Sequence, residues 1–451
     1  MQSLHQGHNF PTLQPLTSGE ISSLPERPEI DETVLIIGTG IAGCATGWAL
    51  SEAGYKVGLV EQLDKPFSST SIGALGIHLG GRYPRDWETA TECLQSGIMM
   101  KKLMSFAFSD KKLRFLTAED SPLDFDSHVE HYARLQEYYA QLPPEDQVFG
   151  EPEDFFRILD TDELEAFTGI SGGIETQETC FNMDQVRTVL LRTLMARGAL
   201  FLTSTEVRSI SKNEADGAAY KVVVENTNSG AVQELHAETV VNAAGPQTRA
   251  IGQELEEMPR SRLDLRFFQD IKIDEEVQEK YPFPFVVMPG YMHYVPLGEG
   301  VASLVGFAET IDTLEAEPSQ ESHLPNSWRE QLAGRQVHES EARSAAILDA
   351  ARERFMPHLG DVAVEATFPG VAVSFNSESH IKKQLPVEQL PDMPNYYRIN
   401  PTKASHAIGL ALEVTDFAIA ASTRAGRVVA SDYLADILSK KSLAYIDGDT
   451  Q

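Results

Sequence analysis

The strongest constraint on this chain lies at residues 33–62, which read TVLIIGTGIAGCATGWALSEAGYKVGLVEQ. An apolar run ends at Gly38, a helix-like pattern follows as far as Gly54, and a second apolar run, KVGLV, closes the stretch. Short apolar runs bounded by glycine are typical of buried parallel strands. The pattern therefore predicts a strand–helix–strand unit, with the spacing G-x-G-x-x-G between the first strand and the helix.

The three glycines of this spacing have separate physical tasks. Gly38 permits a tight turn, Gly40 lets the backbone approach a pyrophosphate, and Gly43 lets the helix pack close to the strand. The first helical turn, with Ile41 and Ala42, presents free N–H groups and a partial positive charge to phosphates. This unit predicts the binding of an adenine dinucleotide.

A carboxylate follows the second predicted strand. Glu61 lies 18 residues past Gly43 and is followed by Gln62, a place where an acid accepts hydrogen bonds from a ribose diol. An acid here favours an adenosine with a free 2′-OH, as in FAD or NAD, over NADP. A plain NAD dehydrogenase explains only this first unit, so the choice between FAD and NAD depends on the rest of the chain.

Chain length, net charge and the lengths of the apolar runs limit the number of domains and the kinds of partner that we expect. A chain of 451 residues with 42% hydrophobic residues favours two folded domains. The net charge of −30 disfavours nucleic-acid binding, because such a surface repels phosphate backbones. We expect no membrane-spanning segment, since no apolar run approaches the roughly 18 residues that a spanning helix needs.

The cysteines and the first residues bear on location. Cys44, Cys93 and Cys180 are far apart and show no metal-ligand spacing, so we expect neither a disulfide framework nor a metal site. This usage fits a reducing compartment, and we predict a cytoplasmic location. Residues 1–30 are polar and Pro-rich, and we interpret them as a flexible arm without a secretory signal.

Two later blocks extend the pattern. Residues 184–212 predict a helix, a glycine turn and two strands. Residues 238–252, ETVVNAAGPQTRAIG, predict a buried strand that ends in the small residues Ala243, Ala244 and Gly245. Small residues at a strand end let a ligand or another backbone come close.

A third block, residues 285–310, reads FVVMPGYMHYVPLGEGVASLVGFAET and predicts two or three strands with turns at PG and GEG. Along an extended strand Tyr291, His293 and Val295 share one face, while Met292 and Tyr294 share the other. We expect one set to face a ligand cavity and favour Tyr291 and Tyr294 as wall residues, with plain sheet packing as the alternative.

Together with the first unit, these blocks resemble FAD-dependent oxidoreductases of the D-amino-acid oxidase and glycine oxidase superfamily, over roughly residues 32–436. The resemblance implies an α/β fold, with a Rossmann-type FAD-binding domain of parallel strands and helices. This domain is interleaved with a mainly antiparallel α+β substrate domain. The resemblance also implies one extended FAD, with the adenine near Val207 and with Ala244 and Gly245 against the same nucleotide. Some members of the superfamily link the flavin covalently, and here we expect non-covalent FAD.

On this basis we expect two discontinuous domains. The FAD-binding domain would comprise residues 31–110, 184–255 and 362–440. The substrate or lid domain would comprise residues 111–183 and 256–361.

The segment IHLGGRY, residues 77–83, resembles the IHGGLRY pattern of FAD-dependent glycerol-3-phosphate dehydrogenases, which belong to the same superfamily. Thr70 and Ser71, just before it, would donate hydroxyl hydrogen bonds to the pyrophosphate or ribityl chain. His78 would pack at the isoalloxazine edge, and Arg82 would anchor an anionic substrate, because guanidinium binds carboxylate or phosphate in a two-pronged way. The alternatives are that His78 bonds a backbone carbonyl and that Arg82 pairs with a nearby acid.

The segment NPTKAS, residues 400–405, resembles the loop of this superfamily that meets the flavin before a closing helix. Thr402, Lys403 and Ala404 would then contact the cofactor. The helix N-terminus, with the charge of Lys403 beside it, would stabilise the anion of a reduced flavin. The alternative is that Lys403 is a surface lysine.

These features predict oxidation of a C–N or C–OH bond in a small, carboxylate-bearing metabolite, with hydride transfer to flavin N5. The proposed catalytic residues are His78, Arg82, Tyr294 and Lys403. We rank amines and amino acids above hydroxy acids, since a neutral amine needs no strong base, whereas a hydroxy acid would need one such as His78.

Three questions stay open at this point. Oxygen, a quinone or a carrier protein could accept the electrons. A flavin monooxygenase or halogenase is one alternative function, and a non-catalytic flavin-binding partner protein is another.

Overall fold

The computed structural model describes eleven stretches of the chain: residues 31–67, 74–213, 219–251, 261–289, 292–306, 311–316, 324–332, 337–375, 387–390, 392–400 and 403–424. The predicted arm at residues 1–30 lies outside them, as do Thr70, Ser71, Tyr291 and Thr402.

The α-helices of the described stretches are α1 (Ile41–Glu52), α2 (Trp87–Leu103), α3 (Phe125–Ala140), α4 (Thr161–Leu164), α5 (Met183–Ala196), α6 (Thr248–Ile251), α7 (Glu275–Lys280), α8 (Asn326–Leu332), α9 (Val337–Arg354) and α10 (His406–Arg424). Within these stretches no helix has the combined length and apolarity that crossing a membrane requires.

The strands form two sheets. They are β1 (Asp31–Ile37), β2 (Val57–Val60), β3 (Ala74–Gly76), β4 (Phe108–Ala118), β5 (Phe156–Ile158), β6 (Ile170–Asn182), β7 (Leu200–Leu202), β8 (Thr205–Lys212), β9 (Tyr220–Asn226), β10 (Val232–Asn242), β11 (Ser261–Lys272), β12 (Phe285–Met288), β13 (Met292–Gly298), β14 (Val301–Val305), β15 (Asp312–Ala316), β16 (Ala363–Phe375), β17 (Glu388–Gln389) and β18 (Tyr396–Arg398).

The first sheet has the order β17-β18-β10-β1-β2-β7, and β8 and β9 extend it from β10. Strand β1 lies between β10 and β2 and runs parallel to both, with Val34 opposite Thr239 on one side and Val57 on the other. The carboxyl ends of these strands therefore meet at one edge of the sheet, which is where open α/β sheets bind their ligands.

Helix α1 is buried on almost every face, from Ile41 to Ser51. It packs against β1 and β2 on one side and against α5 and α10 on the others. A helix that is apolar all round requires such complete cover. At its start, a Cβ atom on Gly43 would lie only 1.9 Å from the carbonyl oxygen of Gly38, so the predicted close packing of helix and strand is confirmed.

The second sheet has the order β15-β11-β14-β13-β12-β4-β6-β3, with β16 on β11 and β5 on β6. Its pairs are antiparallel except for β12 with β4. Two or three strands were expected in residues 285–310, and the structure has three there: β12, β13 and β14. The α/β fold class is therefore confirmed, whereas the domain boundaries stay a prediction.

Strand β3 connects the two sheets. It follows the dinucleotide unit in the chain but pairs with β6 of the second sheet, with Leu75 opposite Phe181. Consequently residues 77–83 start at the edge of the second sheet, directly after leaving the first.

An ion-pair network fastens the stretch between β4 and β6. Arg114 of β4 bonds Glu163 at 2.8 Å and Glu175 at 3.3 Å, and Arg157 bonds the same two acids. Helix α4 begins there with a capping box formed by Asp160 and Glu163.

The contact beneath Gly43 gives a stability prediction. Gly43→Ala forces its methyl group into the backbone at Gly38, so we expect it to destabilise the fold by about 1–3 kcal/mol or more. Gly409→Ala in α10 is the control, because its nearest neighbour, the Met99 sulfur, is 4.0 Å away. It should stabilise the protein by up to ~1 kcal/mol. Urea unfolding measures both, and equal loss of stability in the two variants would contradict this account of the packing.

Candidate active site

An open groove lies at the carboxyl ends of β1, β2 and β10. Its lining includes seven residues that the sequence analysis assigned to a cofactor: Gly38, Gly40, Glu61, Gln62, Val207, Ala244 and Gly245. Ile41, Ala42 and Gly43 form the first turn of α1 and are buried, but they do not line this groove.

The floor of the groove is backbone. Gly38 has φ +91°, and a Cβ atom on it would lie 2.6 Å from the carbonyl oxygen of Ala243, so only glycine fits there. Gly245, with φ +57°, faces open space instead. The turn after β1 and the turn after β10 thus form a cradle without side chains, which fits a pyrophosphate and its adenosine.

Glu61 is held at the end of β2 by three hydrogen bonds. Its Oε2 accepts from the backbone N–H and the hydroxyl of Thr39, at 3.0 and 2.7 Å, and its Oε1 accepts from the N–H of Leu63 at 3.0 Å. A carboxylate has about four acceptor positions, so this one retains capacity for a ribose diol.

A second polar group lies where residues 77–83 meet the second sheet and the start of α10. Arg82 Nη1 lies 3.0 Å from Nε2 of His293, which is on β13. The Nε and Nη2 atoms of Arg82 and Nδ1 of His78 are shielded from solvent and have no hydrogen-bond partner among the described residues.

Five basic side chains at this place are close enough to interact through their charges. Burial lowers the pKa of His78 well below its usual value, and positive charges on Arg82, Lys403, His293 and His406 lower it further. We call these five residues the basic cluster. It unites three residues predicted from the sequence with two that the sequence analysis did not select, His293 and His406.

Lys403 is a buried residue with 7% of its surface exposed, which excludes the surface alternative. Its Nζ lies 4.6 Å from the centre of the Tyr83 ring and bonds the Cys93 thiol, and burial lowers its pKa. Burial, together with the Lys403 charge, lowers the pKa of His406 to about 3. Ala404, between them, packs against the large core. Helix α10 begins at His406, so its N-terminus lies at the basic cluster.

A buried acid accompanies these bases. Glu178 of β6 is 1% exposed, and its Oε1 accepts the backbone N–H of Gly81 at 3.3 Å. Burial raises the pKa of Glu178 to about 7, against the opposing effect of Arg82. Helix α3 contacts the same segment: His131 Nε2 lies 3.0 Å from the carbonyl oxygen of Gly80.

Tyr294 is not part of the basic cluster. It is fully buried on the opposite face of β13 from His293, where its ring stacks on Phe285 at 5.1 Å and meets Tyr281 edge-on. The structure therefore places it in the core of the second sheet, which matches the alternative of plain sheet packing.

Two interleaved sheets, a dinucleotide groove and a separate cluster of basic side chains define a class of nucleotide-dependent α/β proteins. The sequence profile described as "DAO: FAD dependent oxidoreductase" matches residues 33–400. The chain therefore belongs to this family of FAD-dependent oxidoreductases, its cofactor is FAD, and the resemblance stated from the sequence is confirmed.

Individual relatives are distant. The chain is 25% identical over 220 residues to one subunit of the anaerobic glycerol-3-phosphate dehydrogenase of Escherichia coli K12, a match that covers 49% of this chain and 38% of that protein. Glycine oxidase from Geobacillus kaustophilus has a similar fold, with a TM-score of 0.58, 14% identity and coverage of 92% and 98% of the two chains. The glycerol-3-phosphate dehydrogenase from Bacillus halodurans, in complex with FAD, also has a similar fold. Its TM-score is 0.54 and its identity 16%, and the match covers 92% of this chain and 68% of that one.

The groove gives a binding prediction. Glu61→Gln removes a charged acceptor at the ribose position, and we expect a 10- to 100-fold weaker affinity for FAD, because hydrogen bonds to charged groups contribute about 1.5–3 kcal/mol. The fluorescence of added FAD titrated into apoprotein measures this. Glu52→Gln, at the far end of α1, is the control and should bind FAD as the unaltered protein does. Unchanged affinity in Glu61→Gln would remove Glu61 from the site.

Proposed function

We propose that this protein oxidises the C–N bond of a small anionic amine or amino acid, with a C–OH bond as the second candidate. The observation that carries the proposal is the guanidinium of Arg82. One of its nitrogens contacts His293. The two nitrogens of another edge, Nε and Nη2, are buried and have no partner within the part of the chain that the structure describes.

That edge of Arg82 fits an anion. Nε and Nη2 point their N–H groups in the same direction, in the fork that matches two oxygens of a carboxylate or phosphate. Leaving buried charged donors unpaired is costly, so an anionic ligand stabilises this arrangement. Lys403 and the N-terminus of α10 add positive potential around the same position.

The groove and the basic cluster would divide the work. Gly38, Gly40 and Glu61, with Val207, Ala244 and Gly245, would hold the adenosine and pyrophosphate. FAD, when bound, supplies the ring that accepts a hydride. Arg82 would orient the substrate through its acidic group, and the surrounding buried side chains would exclude water.

The state of His78 keeps the second candidate open. Its strongly lowered pKa keeps the imidazole neutral at pH 7, and a neutral imidazole accepts the proton that a hydroxyl substrate must lose. A neutral amine does not need this base. The curated relative is named a glycerol-3-phosphate dehydrogenase, which also favours testing phosphorylated alcohols.

The cysteines bear on the location of the protein. All three cysteines are buried and unpaired in the structure, which fits a reducing compartment, and we propose the cytoplasm. We propose a small-molecule substrate and assign no electron acceptor.

The decisive experiment is anaerobic bleaching of the FAD-loaded protein by a panel of amino acids, amines, hydroxy acids and glycerol phosphate. We expect rapid bleaching by an anionic amine and none by its uncharged amide. Bleaching by a hydroxy acid or phosphorylated alcohol alone would support the second candidate. Bleaching by NAD(P)H alone would contradict both and support a monooxygenase, while no bleaching by any compound would support a non-catalytic role.

Arg82→Gln tests the anchor directly. Loss of a two-pronged, charge-assisted contact should raise KM for the anionic substrate about 10- to 100-fold. Steady-state kinetics on the compound that bleaches fastest measures this. Arg85→Gln is the matched control, because Arg85 is exposed and donates to the carbonyl of Pro122. If KM in the Arg82 variant equals that of the control, the anion does not bind Arg82.

A further inference from the structure

Glu178 is a buried carboxyl group to which the proposed reaction gives no role. It projects from β6 and is 1% exposed. It accepts the backbone N–H groups of Leu79 and Gly81, so it holds the segment that carries Arg82. Its second oxygen, Oε2, is buried and has no hydrogen-bond partner in the eleven described stretches. The group is thus fixed in place but not satisfied.

Arg82 is the charged residue that acts on this carboxyl group within the described chain. No direct hydrogen bond joins the two side chains, whose unpartnered atoms are Oε2 on the acid and Nε and Nη2 on the base. Each therefore influences the other through the low-dielectric interior, where such influence is strong.

The other titratable groups around Glu178 are neutral at pH 7. They are the phenols of Tyr132 on α3 and Tyr83, and the thiols of Cys93 on α2 and Cys180 on β6. Burial raises the pKa of each of the four groups, to about 12 for the two thiols. The imidazoles of His78 and His293 lie near Arg82. When a charge is added beside Arg82, we therefore expect the protonation of Glu178 to respond before that of the other groups.

We propose that Glu178 is a positioning residue that takes up a proton when an anionic substrate binds Arg82. In the free enzyme the carboxylate is the counter-ion of Arg82. When a substrate anion contacts Nε and Nη2, it takes over that role, and a proton from solvent neutralises Oε2. The proton leaves again when the anion is released. This inference rests on the proposed anionic substrate and goes beyond it by coupling binding to a proton.

The sign of the pH dependence follows from the charges. Arg82 holds the pKa of Glu178 down to about 7 against the effect of burial. An anion on Arg82 cancels that effect, so the pKa rises on binding, and linkage requires proton uptake. Below pH 7 Glu178 is already protonated and anion affinity is highest. Above pH 7 the dissociation constant should rise, by at most about tenfold per pH unit.

Calorimetric titration of acetate into the FAD-loaded protein tests this. Each titration between pH 6 and pH 9 is run in two buffers with different ionisation enthalpies, which counts the protons taken up. We expect unaltered protein to take up a fraction of a proton at pH 7 that grows with rising pH. Glu178→Gln keeps the amide oxygen as acceptor for Gly81 but should show no uptake and a pH-independent affinity. Glu175→Gln, the same change three residues earlier in β6, should behave as the unaltered protein.

The outcomes separate the two proposals. Binding of acetate without proton uptake, or uptake that persists in Glu178→Gln through the imidazoles, overturns the role of Glu178 and leaves the anion site intact. Failure of both acetate and inorganic phosphate to bind overturns the proposed anionic substrate as well. If Glu178→Gln does not fold, infrared difference spectra of unaltered protein decide: acetate must produce a new protonated-carboxyl band, and its absence contradicts the inference.

Discussion

The approach of backbone to backbone around Gly38 is the constraint on which the rest of the structure depends. The turn after β1 lies directly against the start of α1 on one side and the end of β10 on the other, at distances that leave no room for a Cβ atom. Because no side chain intervenes, the carboxyl edge of the first sheet stays open as a groove. The same contacts bring Glu61 to the rim, where Thr39 and Leu63 fix its carboxylate. Fold and cofactor site are thus consequences of one packing arrangement.

The basic side chains of the proposed substrate site come together at the second sheet. Strand β3 carries the chain out of the dinucleotide unit and delivers His78 and Arg82 to the place where β13 and the start of α10 add His293, Lys403 and His406. This concentration of basic groups occurs in a chain whose net charge is −30. Burial keeps the imidazoles of His78 and His406 neutral and so reduces the mutual repulsion. Besides the charge of Lys403, the cluster contains the guanidinium cation of Arg82. An anionic ligand satisfies the unpartnered N–H groups of Arg82 better than a neutral ligand does.

The sequence pointed to the residues of the groove and of the basic cluster that lie close together in the chain. The groove residues Gly38, Gly40 and Glu61 belong to a local strand–turn–helix pattern, and His78 and Arg82 belong to one heptapeptide. The sequence analysis did not select Glu178 and His293, because only the pairing of distant strands brings them to that segment. Glu178 lies 97 residues after its partner Gly81, and His293 lies 211 residues after its partner Arg82. Tyr294 shows the related limit. Alternation along β13 separates its two faces, but only the tertiary packing on Phe285 decides which face enters the core.

The most direct test of the account is a crystal structure of the FAD-loaded protein soaked in acetate. We expect the adenosine to lie in the groove beside Glu61 and Gly245. We expect acetate to be held by Nε and Nη2 of Arg82, on the side facing the flavin ring. FAD phosphates resting on Arg82, or a groove closed by side chains with acetate bound elsewhere, would contradict it.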